Sequence, residues 1–402
     1  NAPWMADNGH SFTGALNISS SFTLGNLTLN ATGNSSVTGN LNFQAVGNAP
    51  RVTAIVNPGL SMTISGNITQ AASNVASLTK NGTGTLTLSG NNTYTGTTTL
   101  NAGTVVIGHA NAAGTGTITQ ANGSSLLKID TTGTITNDMS VYNVLASQSA
   151  TLSGAITVNN ATWDIDTGDT LTISGAVSGN AGVTKNGGGT LVLSGNNTYL
   201  APTVINAGTL NAASVNALGS NNTVTVNGGS LLVSTDDAIN GMTVTLNSTS
   251  TNVAGLAFNG TYSGLVDNLT LSKNSIIDLG DGSVSIMFDT FVMSTYTLDI
   301  YNWTGTTLWG GGTGNDTDKV YFGPDLSDTA LAKIYFHSGA VGGGDSFLGS
   351  GYDLGLQQTS WDSGLEGYHI IPVPEPETYA TGLLLLLGGA WWMWRKRSVF
   401  TT

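Results

Sequence analysis

One sequence motif occurs twice in this chain and sets the strongest limit on its fold. Lys80–Val105 reads KNGTGTLTLSGNNTYTGTTTLNAGTV, and Lys185–Leu210 reads KNGGGTLVLSGNNTYLAPTVINAGTL. The copies are 105 residues apart (185 − 80 = 105) and are identical at 18 of 26 positions. A repeated unit of strand, turn, strand and turn predicts a solenoid, in which each coil covers the apolar face of the next one.

Short runs that alternate threonine with an aliphatic residue recur in and around the two copies. They include Thr85–Leu88, Thr190–Leu193, Thr223–Val226 and Thr243–Leu246. Alternation with period two places the aliphatic side chains on one face of a strand and the threonines on the other. Clusters of Gly and Asn separate the runs and predict turns. No amphipathic helix is predicted before the C-terminal tail, so the pattern indicates an all-β chain.

Both copies resemble the autotransporter-associated β-strand repeat, also called the passenger-associated transport repeat. The resemblance is carried by Gly84–Leu86, Asn91–Gly96 and Ala102–Thr104 in the first copy, whereas the second copy departs from the pattern at Leu200–Pro202. The resemblance implies a right-handed parallel β-helix on a secreted, surface-displayed protein. We therefore expect a right-handed parallel β-helix, or β-solenoid.

The solenoid is predicted to occupy residues 1–265, with repeats at 61–107 and 171–212. Alternating strands continue from about Ser11 to about Ser272. With roughly 20–25 residues and about 4.8 Å for each coil, these strands predict about eleven coils and a rod near 50 Å long.

Composition changes after the predicted solenoid. There are 13 acidic residues from Asp267 to Glu366, against 8 from Asp7 to Asp237, and Trp, Phe and Tyr become more frequent. We interpret residues 266–370 as a β-rich, acidic and aromatic cap that closes the open end of the solenoid.

The C-terminal tail has three parts. A Pro-rich linker covers 371–378, an apolar helix with a basic stop covers 379–397, and 398–402 end the chain. The sixteen residues from Tyr379 to Trp394 carry no charge and would span about 24 Å as a helix. This is short for a transmembrane-type helix, and the basic stop after it (Arg395, Lys396 and Arg397) predicts a cytoplasmic C-terminus.

This tail resembles the PEP-CTERM sorting signal of Gram-negative bacteria. The sorting motif consists of Val373, Pro374, Glu375, Pro376 and Glu377. The resemblance implies processing by an exosortase-type enzyme and a transient association with the membrane through the helix. It also implies a place at the cell surface or in the extracellular matrix. The chain begins with Asn and no secretory leader follows, so we expect a leader to have been removed earlier.

Charge and cysteine content exclude several classes of function. Only 8% of the residues are charged, against about 25% in a typical globular domain. The net charge of −13 argues against a partner that is a nucleic acid. The chain has no cysteine, which excludes disulfide bonds and thiolate metal sites.

Candidate sites for chemistry are few, and we expect no cofactor. Asp164, Asp166 and Asp169 form a weak candidate for a metal site, but their spacing does not fit a calcium loop, and a solvated turn is the favoured interpretation. Lys80 and Lys185 recur at the same repeat position, which favours a structural role over a unique active site. Asparagines at the turns, such as Asn91, are expected to stack between coils and to tolerate a left-handed backbone.

The sequence favours a structural or adhesive element of the cell envelope or extracellular matrix over an enzyme. The expected partners are extracellular polysaccharide or further copies of the chain. Two alternatives stay open, namely a subunit of a self-assembling extracellular filament and a polysaccharide-active β-helix enzyme. The enzyme is disfavoured because no motif for nucleophilic, metal or phosphate chemistry occurs in the chain.

Overall fold

The structure is a computed structural model that describes residues 5–6, 10–18, 22–24, 26–43, 50–72, 75–247, 253, 255–302, 318–322, 332–337, 347–358 and 366–373. Within these residues the regular elements are all β-strands. None of the described segments forms a helix with the length and hydropathy of a membrane span. The predicted helix at 379–397, with its basic stop, lies outside the described residues, and so does the sorting motif after Val373.

The strands are numbered here in chain order. The first half of the chain contains β1 (Met5–Ala6), β2 (His10–Gly14), β3 (Asn17–Ile18), β4 (Phe22–Leu24), β5 (Leu27–Ala31), β6 (Ser35–Val37), β7 (Leu41–Phe43), β8 (Arg51–Val56), β9 (Ser61–Ile64), β10 (Ile68–Gln70), β11 (Ser77–Asn81), β12 (Thr85–Leu88), β13 (Thr98–Leu100), β14 (Gly103–Ile107), β15 (Ile118–Gln120), β16 (Ser125–Ile129), β17 (Thr134–Ile135), β18 (Met139–Ala146), β19 (Ala150–Leu152) and β20 (Ile156–Ile165). The second half contains β21 (Thr170–Ile173), β22 (Val177–Ser178), β23 (Val183–Asn186), β24 (Thr190–Leu193), β25 (Thr203–Ile205), β26 (Thr209–Ala212), β27 (Thr223–Val226), β28 (Ser230–Val233), β29 (Thr243–Leu246), β30 (Leu256–Phe258), β31 (Tyr262–Leu271), β32 (Ser275–Asp278), β33 (Val284–Met293), β34 (Leu298–Tyr301), β35 (Lys319–Phe322), β36 (Ile334–His337), β37 (Phe347–Gln358) and β38 (Glu366–Val373).

Most strands pair in parallel with the strands one coil earlier and one coil later, so the chain winds as a solenoid with three sides. Side A contains β2, β5, β8, β11, β13, β15, the first parts of β18 and β20, and β22. Side B contains β3, β6, β9, β12, β14, β16, the second parts of β18 and β20, then β23, β25, β27, β29 and the second parts of β31 and β33. Side C begins with β1, β4, β7 and β10 and later contains β17, β19, β21, β24, β26, β28, β30, β32, β34 and β36.

The solenoid has about 13 turns, which confirms the predicted parallel β-solenoid but exceeds the expected eleven coils. Hydrogen-bonded asparagines on neighbouring coils are only 20 or 21 residues apart. The parallel ladder also continues past Ser272, through the pairs β31–β33, β32–β34, β33–β35 and β34–β36. Short coils and this continuation together account for the higher number of turns.

The parallel ladder ends in antiparallel strands. β38 pairs antiparallel with β35, β37 pairs antiparallel with β36, and β37 and β38 pair with each other. Parallel pairing thus crosses the predicted boundary at residue 265 and reaches β36. The assignment of 266–370 to a separate cap stays a prediction.

The core consists of columns of inward side chains, one from each coil. On side B, one column contains Leu86, Val105, Leu127, Val144 and Trp163, which pair in register from strand to strand and are all buried. Each side chain therefore covers the apolar surface of the side chain above and below it. This is how alternation within single strands produces a continuous interior.

The three-sided solenoid has the shape of a prism, and its corners require glycine where neighbouring coils approach closely. A Cβ atom on Gly116 would lie 2.2 Å from the carbonyl oxygen of Gly96, and one on Gly175 would lie 1.9 Å from that of Gly154. Both distances are far shorter than any real contact of a Cβ atom, so the corner glycines fix the path by which the chain passes from one side to the next.

The two copies of the repeat occupy different sides of the prism. Lys80 lies on side A, where it pairs with Ala54 and Leu100. Lys185 lies on side B, where it pairs with Trp163 and continues the column of Leu86. From β11, five successive strand pairings on side A lead to β22. The next strand of the chain, β23, lies on side B. Equivalent positions of the two copies therefore face different directions around the rod.

Candidate functional site

Lys80 and Lys185, which are identical positions of the repeat, are buried and bonded only to main-chain carbonyls. The Lys80 ammonium donates to the carbonyl oxygens of Asn81, Gly82 and Ala102 at 2.9, 2.6 and 3.2 Å. The Lys185 ammonium makes the equivalent three bonds, to Asn186, Gly187 and Ala207. Each lysine thus joins its own turn to the next coil. The predicted structural role of the two lysines is confirmed.

Burial changes the titration of both lysines. Desolvation lowers the pKa of Lys80 to about 8 from the usual 10.5. Burial lowers the pKa of Lys185 to about 8 as well, although the negative charge of Asp164 acts in the opposite direction. Both side chains are therefore protonated at neutral pH, when three N–H donors meet three acceptors.

Tyrosine and asparagine of the repeat are also used inside the solenoid. The Tyr94 hydroxyl lies 2.6 Å from the Thr98 hydroxyl, and Tyr199 and Thr203 form the same pair in the second copy. All four residues are buried. Burial raises the pKa of both tyrosines above the ordinary value, so they stay neutral.

A buried asparagine in each copy connects three successive coils. The Asn92 side-chain oxygen accepts from the Ile68 N–H at 2.7 Å, while its amide group donates to the Ala112 carbonyl. Asn197 makes the same two bonds, with Val177 and Ala217. These amides replace main-chain bonds at a corner where no strand continues.

Exposed asparagines stack in ladders along the corners, as the sequence predicted for Asn91. The Asn111 amide donates to Asn91 at 2.9 Å, and a second ladder contains Asn186, Asn206, Asn227 and Asn247. A left-handed backbone occurs at Asn160, Asn222 and Asn302 among the described asparagines, and Asn91 does not use it. The ladder needs a side-chain amide on each coil and no unusual backbone.

The lysine, tyrosine, threonine and asparagine contacts that both copies share therefore build the interior and the corners. The other outward positions of the strands take no part in these contacts. On side A, each strand from β2 to β22 has a hydroxyl residue at one outward position, and these positions pair in register. The nine strands from β2 to β22 contribute a continuous column, which we call the hydroxyl column: Ser11, Thr28, Thr53, Thr79, Thr99, Thr119, Ser140, Thr157 and Ser178.

A groove that is open to solvent includes Thr79 and Thr99 of this column and extends over four coils, from β8 to β15. Its volume is about 530 Å³, within the range of about 300–1,000 Å³ for ligand sites. Six hydroxyl side chains line it, namely Ser77, Thr79, Thr95, Thr97, Thr99 and Thr117. Gly96, Gly116, Val75 and Arg51 complete the lining, and Arg51 lies on β8, the first of the four strands. None of the residues that line the groove is acidic.

The second copy has no such hydroxyl surface at the equivalent positions. Thr97 and Thr99 correspond to Pro202 and Val204, while the buried Thr98 between them corresponds to Thr203. The inward threonine is therefore kept for its bond to tyrosine, and the outward hydroxyls are not required by the fold.

The predicted aspartate cluster forms a turn. Asp164 lies on β20, whereas Asp166 and Asp169 lie in the turn that follows, around Gly168 with φ +93°. The Asp169 N–H donates to the Asp166 carbonyl at 3.0 Å, and its carboxylate accepts from the Ser149 hydroxyl at 3.2 Å. The described residues contain no group of three or more potential metal ligands. The structure does not assemble these carboxylates into a metal site.

Sequence reasoning missed the groove and one ionisable pair. The His337 Nε2 lies 3.0 Å from the Asp299 carboxylate, and the His337 ring stacks on Tyr301 with centroids 4.2 Å apart. These residues are far apart in the sequence and meet only because β34 and β36 are neighbours on side C. The groove had a signal in the sequence, because pairs of hydroxyl residues recur one coil apart: Ser77 and Thr79, Thr97 and Thr99, and Thr117 and Thr119. The position of the groove follows only from the register of the parallel strands.

Comparisons with known proteins agree with the repeat chemistry. The Passenger-associated-transport-repeat matches residues 78–107 and 183–212, so the predicted resemblance of both copies is confirmed. The adhesin BmaC autotransporter of Brucella suis biovar 1 (strain 1330) is 36% identical to this chain over 177 residues. That alignment covers 43% of this chain and 5% of the adhesin, so the chain spans only a small part of that relative's length. No solved structure matches the chain.

The buried lysines predict an unusual dependence of stability on pH. Below pH 8 both the folded and the unfolded chain hold the proton, and the full cost of burying the charge applies. Between about pH 8 and 10.5 the unfolded chain holds more protons, so stability rises with pH. The thermal unfolding midpoint of the wild type should rise from pH 8 to pH 9.5.

Lys80→Met and Lys185→Met variants provide the control, because they keep an apolar side chain of similar length without the titrating group. Each should show a smaller rise than the wild type, and the double variant should show none. Lys128→Met, at an outward position of β16, should behave like the wild type. A rise of equal size in all four variants would contradict this assignment.

Proposed function

We propose that this chain is a secreted β-solenoid of a Gram-negative bacterium that serves as a structural or adhesive element of the cell surface or extracellular matrix. The observation that carries this proposal is the division between interior and exterior. The buried residues shared by the two copies build the interior, while side A presents a long column of hydroxyl residues with a groove whose one charged lining residue is Arg51. Similarity to a protein named as an adhesin supports the same conclusion.

The groove favours binding over catalysis. Hydrolysis or elimination on a polysaccharide needs paired carboxylates, or a base beside a cation site. The groove contains hydroxyls and one guanidinium, with neither a carboxylate nor a histidine. The chain is therefore not an enzyme in this proposal.

Rigid stacking suits a protein that works outside the cell without disulfide bonds. The chain has no cysteine, and its coils are held by parallel ladders, lysine-to-carbonyl bonds and asparagine ladders. In this proposal the winding is right-handed, as the repeat resemblance implies, and residues 266–370 close the C-terminal end. The filament alternative has less support, because the ladder ends in the antiparallel strands β37 and β38 instead of an open parallel edge.

The C-terminal tail provides the route to the surface in this proposal. The sorting motif at Val373–Glu377 is recognised by an exosortase-type enzyme, while the apolar helix at 379–397 holds the chain transiently in the membrane. The basic stop at Arg395–Arg397 keeps the C-terminus in the cytoplasm during this step. Cleavage near the motif then releases or re-anchors the solenoid.

Loss of the chain should weaken attachment. Cells of the source bacterium that lack the gene should adhere less to a surface or to their own matrix, and the intact gene should restore adhesion. On intact cells, an added protease should remove antibody epitopes from residues 75–247. Normal adhesion without the gene, together with protection of these epitopes, would contradict the proposal.

The tail should be absent from the mature protein. Mass spectrometry of chain isolated from the native envelope or matrix should find a C-terminus near the Pro374–Pro376 region. Replacement of Pro374, Glu375 and Pro376 by alanine should cause the uncleaved chain to accumulate in the inner membrane. Recovery of Trp391–Thr402 on surface-located protein would contradict processing by such an enzyme.

A further inference from the structure

The groove has the dimensions of a site for an extended chain that lies parallel to the rod axis. Its walls come from β8, β11, β13 and β15, or the residues directly before them, on four consecutive coils. At about 4.8 Å for each coil, the outer strands are roughly 14 Å apart. Hydroxyl groups therefore recur at this interval on three of the four coils, as a repeating polymer requires, and Arg51 is the contribution of the fourth coil.

The hydroxyls in the groove are available to a ligand. The Thr95 hydroxyl accepts from the Gln70 amide at 2.9 Å. The side chains of Thr79, Thr97 and Thr99 make no hydrogen bond to the described part of the chain, although all three are at least partly exposed. In the second copy, Pro202 and Val204 replace two of these threonines without any change in the strands or in the buried contacts. The hydroxyl surface is therefore a property of this groove and not a requirement of the repeat.

The charge of the groove differs from that of the rest of the protein. The chain has 23 acidic and 10 basic residues, yet the groove has no acidic side chain and one cation, Arg51. The Arg51 side chain is exposed, and its guanidinium makes no ion pair within the described residues. A guanidinium without an ion pair, beside hydroxyls and away from carboxylates, suits a ligand that combines hydroxyl groups with a carboxylate.

We propose that this groove binds a single acidic polysaccharide chain, with uronic-acid residues, aligned along the solenoid axis. The threonine hydroxyls bond to the sugar hydroxyls, and Arg51 pairs with a carboxylate of one uronic acid. The inference rests on the proposed adhesive function and adds the class of ligand, the position of the site and the direction of the bound chain.

The experiment uses the full 402-residue chain in mild detergent and measures binding to polygalacturonate by calorimetry. Fully methyl-esterified polygalacturonate provides the matched ligand, since it keeps the sugar backbone and removes the negative charges. The groove variants are Arg51→Gln and the double variant Thr97→Val/Thr99→Val. The controls are Lys128→Gln and Thr225→Val/Thr245→Val, whose residues face outward on side B.

The wild type should bind polygalacturonate and should bind the methyl ester at least about fivefold more weakly, since about 1 kcal/mol separates affinities by roughly that factor. Arg51→Gln should lose a similar factor for the acidic polymer only. Thr97→Val/Thr99→Val should lose about tenfold or more for both polymers, and the controls should match the wild type. Equal unfolding midpoints show that the valine variants are folded.

Three results would overturn the inference. They are a wild type that does not bind polygalacturonate, a valine double variant that binds as tightly as the wild type, and equal binding of both polymers with no effect of Arg51→Gln. The proposed function fails separately. If cells without the gene adhere normally, the adhesive function is wrong whatever the groove binds. If the valine double variant restores adhesion completely, only the groove inference is wrong.

Discussion

The register between successive coils is the constraint on which the rest of the structure depends. Parallel pairing places each residue directly above its counterpart one coil earlier, so whatever side chain a position carries is stacked into a column. Aliphatic columns form the core, asparagine columns form the corner ladders, and glycine columns let the corners close. A shift by a single residue would turn the whole interior of a strand outward. Lys80 and Lys185 reinforce this register, because each joins the carbonyls of two coils.

Stacking in columns also explains how the surface acquires a function. Interior positions are fixed by packing, so the two copies retain the same lysine, tyrosine, buried threonine and buried asparagine. Outward positions away from the asparagine ladders have no such constraint, and some of them differ: the first copy presents Thr97 and Thr99 where the second presents Pro202 and Val204. Because the copies also lie on different sides of the prism, each side of the rod has a surface of its own. A groove can thus arise on side A without any change in the fold.

Much of the fold was predictable from the sequence, because Thr85–Leu88 and similar runs specify strands and the repeat specifies stacking. The structural role of Lys80 followed from its recurrence at Lys185. The side on which each strand lies was not predictable, since it depends on the accumulated length of every coil. The groove was hidden for a second reason. In the run Thr97–Thr99 the middle threonine is buried and its neighbours face outward, and composition alone does not distinguish these roles.

Disulfide formation between introduced cysteines tests the coil register most directly, because the natural chain has none. Thr99 and Thr119 are direct partners on adjacent coils, so their Cα atoms lie at the strand spacing of about 4.8 Å, within reach of a disulfide. Thr99 and Thr117 are diagonal neighbours at roughly 8 Å, beyond that reach. Mild oxidation should therefore cross-link the Thr99→Cys/Thr119→Cys chain and leave the Thr99→Cys/Thr117→Cys chain reduced. The opposite result, or equal cross-linking of both, would contradict the register that forms the hydroxyl column.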